Sequence, residues 1–112
     1  MSDMWAYRDA TWTQSQDLVG YDVHATDGSI GNIDKATYDA TEAYVVVDTG
    51  FWIFGKKRLI PAGAITSVDH EGRNVHVSLT KDQIRSAPDF DSAERDQASR
   101  TRHSDYYRTY VR

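Results

Sequence analysis

Between residues 21 and 79 the chain changes character every few residues. Short runs rich in β-branched and aromatic residues are separated by turn-forming pairs. Tyr21, Val23 and Ala25 alternate with Asp22, His24 and Thr26, the period-2 pattern of a half-buried strand. Asp27-Gly28 follows, a dipeptide suited to a tight hairpin turn. Residues 30–38 read as the return strand, with Gly31 free to bend or bulge it. Residues 39–42 turn the chain again. The run AYVVVD at 43–48 is mostly apolar, so both its faces are expected to be covered. Residues 57–60 make another strand, ended by Pro61-Ala62-Gly63. Residues 65–69 and 74–79 flank the turn His70-Glu71-Gly72-Arg73. In the second of these, Val75, Val77 and Leu79 face one way and His76 and Ser78 the other. Thr80 then opens a short helix: Thr80 and Gln83 have the spacing of a capping box, and Pro88 marks the helix end. The pattern predicts a mainly β fold, a small antiparallel barrel of about six strands with a short helix after the last.

At 112 residues the chain has room for one domain. Hydrophobic content is 39%, and the net charge is -4. Such modest apolar content predicts that part of the chain lies outside the core. There are no cysteines, which excludes disulfides, thiolate metal sites and Cys nucleophiles. An acidic balance argues against a dedicated nucleic-acid binder. No apolar run approaches the roughly 20 residues that span a bilayer, and the N-terminus lacks the plan of a signal peptide. A cytoplasmic location is expected. Three parts emerge: an aromatic-bearing arm (1–14), the strand-rich domain (15–90) and a tail (91–112). Residues 89–112 hold five acids and five bases, few aliphatics, and Tyr106, Tyr107 and Tyr110 near the end. The tail is predicted to be helical within about 92–103, then extended, with its tyrosines lying on a barrel surface as a detachable cover.

From about residue 16 to residue 90 the chain resembles the PRC-barrel family, named for the photosynthetic reaction centre. The resemblance rests on an ordered set. DLVGYDVHATDGSIGNIDKATYD carries Leu-Val-Gly, an alternating strand, Asp-Gly and Ile-Gly-x-Ile. RLIPAGAI follows an apolar strand, and GRNVHVSLTKDQIRSAP closes with a strand and a short helix. The resemblance implies a compact β-barrel acting as an assembly module. One branch of that family caps the cytoplasmic face of reaction centres; another forms a domain of ribosome-maturation factors and contacts a ribosomal protein. The family supplies no catalytic motif. Neither the transmembrane helix of the first branch nor the extra N-terminal domain of the second is read in this sequence.

The chemistry-bearing residues are scattered. His24 and His76 lie on the polar faces of their strands, His70 in a turn and His103 in the tail. A site would need several to converge with a carboxylate such as Asp22, and exposed, unrelated imidazoles are the expectation. Asp27, Asp39, Glu42, Asp69 and Glu71 sit at turns, which explains them without catalysis. Serines occur without a Gly-x-Ser-x-Gly elbow, and GSIGN has neither the spacing nor the Lys of a phosphate loop. No enzyme, cofactor or metal site is expected.

One stretch stands apart: Phe51-Trp52-Ile53-Phe54, then Gly55 and Lys56-Lys57-Arg58. On a strand, Phe51 and Ile53 face one side and Trp52 and Phe54 the other. One pair fills the barrel; the other needs a cover, because a sizeable exposed apolar patch is uncommon on a monomer. Trp52, Phe54, Lys56, Lys57, Arg58, Tyr106, Tyr107 and Tyr110 are therefore the candidate partner-binding residues. The expected partners are a second copy of the chain, joined at an open barrel edge, and an unidentified protein. The alternative is a ribosome- or RNA-associated assembly factor using Lys56, Lys57 and Arg58 beside the aromatics. A peripheral membrane contact through Trp52 and Phe54 is the weakest reading, for want of an amphipathic helix or lipidation signal.

Overall fold

A computed structural model of the chain describes residues 4–14, 17–39, 42–49, 57–88 and 97–111. Six strands run through them: β1 (Asp22–Ala25), β2 (Gly28–Ala36), β3 (Tyr44–Asp48), β4 (Lys57–Pro61), β5 (Ile65–Asp69) and β6 (Asn74–Val77). Two helices follow, α1 (Lys81–Arg85) and α2 (Gln97–Tyr107), and short 3-10 turns lie at Ala10–Thr13 and Ala62–Ala64. The aromatic segment 51–54 and Lys56 lie outside the described residues.

The strands form one sheet in the order β4-β3-β2-β1-β6-β5. Residues Thr26 and Asp27 turn the first hairpin between the paired Ala25 and Gly28. Ile30 is an extra residue on β2, opposed by nothing on β1, so the strand bends beside Gly31. Gly31 has φ +145, and a Cβ there would stand 2.0 Å from the Asp48 carbonyl oxygen. Close approach of β3 thus requires glycine at this position. The sheet is mixed, not wholly antiparallel as expected: β1 and β6 run parallel, with Asp22, Val23 and His24 opposite Asn74, Val75 and His76.

This order forces curvature. β4 and β5 lie at opposite ends of the sheet, yet only Ala62–Ala64 separate them. A flat six-strand sheet would set them about 24 Å apart. The chain between them spans at most about 14 Å. The sheet therefore rolls up, and the buried corner at Pro61–Ala64 carries the chain from one edge to the other.

The roll encloses a single apolar interior. Val23, Ile33, Val45, Val47, Leu59, Ile60, Ile65, Val75, Leu79 and Ile84 are all essentially inaccessible. Four consecutive residues of β3, Tyr44 to Val47, are buried, so both faces of that strand are covered as its sequence predicts. The arm supplies part of the cover. Ala43 N–H donates to the Trp5 carbonyl and Gly63 N–H to the Met4 carbonyl, while Tyr7 Oη donates to Thr37 O and Arg8 Nε to Gly63 O. Met4, Trp5, Tyr7 and Trp12 pack half-buried against the core. Helix α1 starts as its capping box predicts, with Gln83 N donating to Thr80 Oγ1 and Thr80 N to Gln83 Oε1. Asp27 of the first hairpin also accepts from Lys81 N, tying the helix start to the sheet.

Candidate interaction surface

Lys57, Arg58, Tyr106, Tyr107 and Tyr110 all lie on β4 or on and just beyond α2. Trp52, Phe54 and Lys56 fall outside the described residues. β4 ends the sheet, and helix α2 lies beside it. Tyr107 is fully buried and donates its hydroxyl to the Leu59 carbonyl of β4 at 2.6 Å. Burial raises the Tyr107 pKa well above its ordinary value, Tyr106 adds to the rise and Arg58 opposes it. Tyr106 donates to the Gln83 carbonyl of α1 and meets the Tyr107 ring edge-on at 5.2 Å. Val111 folds back on Tyr107 through its backbone N–H and is buried. Tyr110 stays 39% exposed, tilted against Tyr106.

Of the basic cluster's described residues, Arg58 turns inward. Arg58 is only 5% exposed. Its Nε donates to Ile84 O, and its Nη1 and Nη2 donate to Lys57 O and Arg85 O. A five-residue helix leaves its last carbonyls without intrahelical partners. The guanidinium meets two of them and complements the negative end of the helix. Lys57 is exposed, but Asp34 takes its charge at 2.6 Å; this hydrogen bond and attraction raise the Lys57 pKa.

The tail differs from its expected form. Its helix runs past residue 103 to Tyr107, so Tyr106 and Tyr107 sit on helix and not on an extended end. Docking explains the shift, because His103, Tyr106, Tyr107 and Val111 fall on the side that meets the barrel, whereas Arg100, Thr101, Arg102 and Asp105 face water.

Two further groupings arise only from tertiary structure. Tyr21, buried in the core, shares a 2.8 Å hydrogen bond with His70 Nδ1, and the Arg73 guanidinium lies 5.4 Å over its ring. With Asp17 and Glu71 they line an open cleft of about 420 Å³. Asp17 also accepts from Tyr38, whose hydroxyl pKa is pushed up to about 12 by burial and by that hydrogen bond. On the outer face of the sheet, His24 and His76 stack with ring centroids 5.0 Å apart. The expectation of unrelated imidazoles is thus corrected for this pair. The parallel pairing of β1 with β6 carries no local sequence signature, so nothing short of the fold brings them together. Asp22 turns instead to β2, where it accepts from Asn32.

No helix among the described residues is long and apolar enough to cross a membrane. No protein-family model and no curated protein matches the chain. Its structure is similar to that of RimM, a 16S ribosomal RNA processing protein of Pseudomonas aeruginosa, with a TM-score of 0.50 and 20% sequence identity. The similarity covers 66% of this chain and 49% of that one, so the chain spans about half the length of that protein. What the likeness establishes is the fold: a mainly β, PRC-barrel-like domain of six strands with two short helices.

Proposed function

We propose that this chain is a non-enzymatic protein-interaction module of the PRC-barrel type, working in the cytoplasm as a homodimer or with another protein. The contact would be the β4 edge together with residues 51–54. One observation carries the reading: a terminal strand of the sheet accepts on its Leu59 carbonyl the Tyr107 hydroxyl of a mostly polar helix. An edge strand is the part of a sheet most ready to pair with another chain. A helix anchored by few side chains is a cover that a better-fitting partner displaces. The likeness to a ribosomal RNA processing protein adds support for an assembly role. RNA contact through the basic cluster is the second reading; burial of Arg58 and pairing of Lys57 with Asp34 weigh against it.

The test removes residues 91–112. The truncated barrel should stay folded, bind more hydrophobic dye and self-associate at micromolar concentration. The full chain should exchange between its 12.7 kDa monomer and a species of twice that mass in light scattering. Partners captured from its own cell should survive nuclease treatment. Monomeric behaviour of both forms with unchanged dye binding contradicts the proposal, and loss of every partner on RNA digestion favours the second reading.

A further inference from the structure

The stacked histidines occupy a particular place in the fold. β1 and β6 form the one parallel junction of the sheet, where the β1–β4 meander meets the β5–β6 hairpin. His24 and His76 are direct neighbours across that junction, and their rings lie within 22° of parallel. Registered residues on adjacent strands project to the same face. Here that face is outward: Val23, Val75 and Val77 point to the core, His76 is exposed and His24 half-exposed.

His24 is also held by a side chain of β6. Its Nε2 lies 2.9 Å from Asn74 Oδ1. An amide oxygen only accepts, so in the neutral tautomer that donates from Nε2 the Nδ1 lone pair is left for a metal. An imidazole fixed through one nitrogen by a carbonyl-type acceptor, with the other nitrogen available, has the usual support of a metal-binding histidine.

We propose that His24 and His76 form a two-histidine site for a divalent transition ion of the Zn²⁺, Ni²⁺ or Cu²⁺ class, with Asn74 orienting His24. Two nitrogens on one tetrahedral ion stand about 3.4 Å apart, given metal–nitrogen bonds of about 2.1 Å. The rings stand 5.0 Å apart and within 22° of parallel, so binding would swing them about their side-chain bonds until both in-plane lone pairs meet on the ion. No set of three or more His or carboxylate donors converges among the described residues, so water completes the coordination. Neutral imidazole suits these ions, whereas Mg²⁺ and Ca²⁺ prefer oxygen. The net charge of -4 favours cation approach. A bound ion would clasp β1 to β6 and stabilise the folded state by mass action.

The experiment titrates the full chain with Zn²⁺ and Ni²⁺ near neutral pH by calorimetry, and follows histidine ring resonances by NMR. One equivalent should bind, with perturbations centred on His24 and His76 and a metal-dependent rise in the melting temperature. His24→Asn and His76→Asn should each weaken binding about tenfold or more, and Asn74→Ala about tenfold through loss of the orienting contact. The exposed ring makes His76→Asn safe for the fold, so the test stands even where His24→Asn disturbs the sheet. Binding that is unchanged in His76→Asn, or perturbations centred on His70 or His103, overturns the proposal.

Discussion

The barrel and the C-terminal helix are built on different principles. In the barrel each buried side chain is backed by neighbours on adjacent strands, and β3 is sealed on both faces. Its restraints overlap: hairpins, the Pro61–Ala64 corner, the arm's carbonyls and the α1 capping box all fix the same arrangement. Helix α2 has no such redundancy. Among the described residues, it and the turn after it are held mainly through His103, Tyr106, Tyr107 and Val111, with a half-exposed ion pair between Arg100 and Glu42. A short polar helix is marginal by itself. Burial of His103, Tyr107 and Val111, with Tyr106 half-buried beside them, is what holds it to the barrel. The difference teaches that one chain can hold a body fixed by overlapping restraints and an attachment fixed by a few.

Breaking the body should break both parts. Gly31→Ala places a Cβ against the Asp48 carbonyl with no side chain to yield, in a backbone conformation that L residues avoid. The expected loss is the largest, about 4 kcal/mol or more, with barrel and helix signals melting together in circular dichroism and tyrosine fluorescence. Arg58→Ala strikes the junction. It leaves the Ile84 and Arg85 carbonyls without their charged donor, and should cost about 3 kcal/mol in denaturant unfolding. Arg58→Lys should recover little, because one ammonium cannot reproduce the planar fork.

Loosening the attachment alone sharpens the contrast. Tyr107→Phe keeps the ring but leaves the buried Leu59 carbonyl unmet, at about 1–2 kcal/mol. That loss should appear in helix docking, with little change in global unfolding. The same contact responds to alkali. Tyr107 has its pKa raised by burial, so folding favours the neutral phenol. Its stabilisation is whole below the free tyrosine value of about pH 10 and is lost as pH rises through the higher folded value. The helix should therefore release above about pH 10, before the barrel unfolds, as followed by tyrosinate absorbance. Arg100→Ala should do least, under about 0.5 kcal/mol, because its pair with Glu42 is half-exposed.

What could be read from the sequence follows the range of the interactions. β5 falls at residues 65–69, before the turn His70–Arg73, and the Thr80–Gln83 capping box is in place, because both are written in neighbouring residues. Arg58 was legible as a charge but not as an inward one. Its acceptors lie 26 and 27 residues away on a helix whose position only the fold decides. The His24–His76 stack and the Tyr21–His70–Arg73 cleft depend on strands about 50 residues apart in sequence, and no local period records that pairing. The arm docks partly through the backbone carbonyls of Met4 and Trp5, which have no residue signature. In the tail, helix propensity alone pointed to residues 92–103, whereas the contacts of Tyr106 and Tyr107 with α1 and β4 set where the helix lies.

The central claim is that α2 opens independently of a barrel that stays closed. Native-state amide hydrogen exchange tests it residue by residue. The amides of Arg108 and Val111, bonded to Ser104 and Tyr107 carbonyls, should exchange through a low-energy opening that denaturant barely affects. The amides of Val45 and Val47 in β3 should exchange only by global unfolding. A single shared opening energy, with the same denaturant dependence for both groups, would show that helix and barrel form one cooperative unit and would contradict this account.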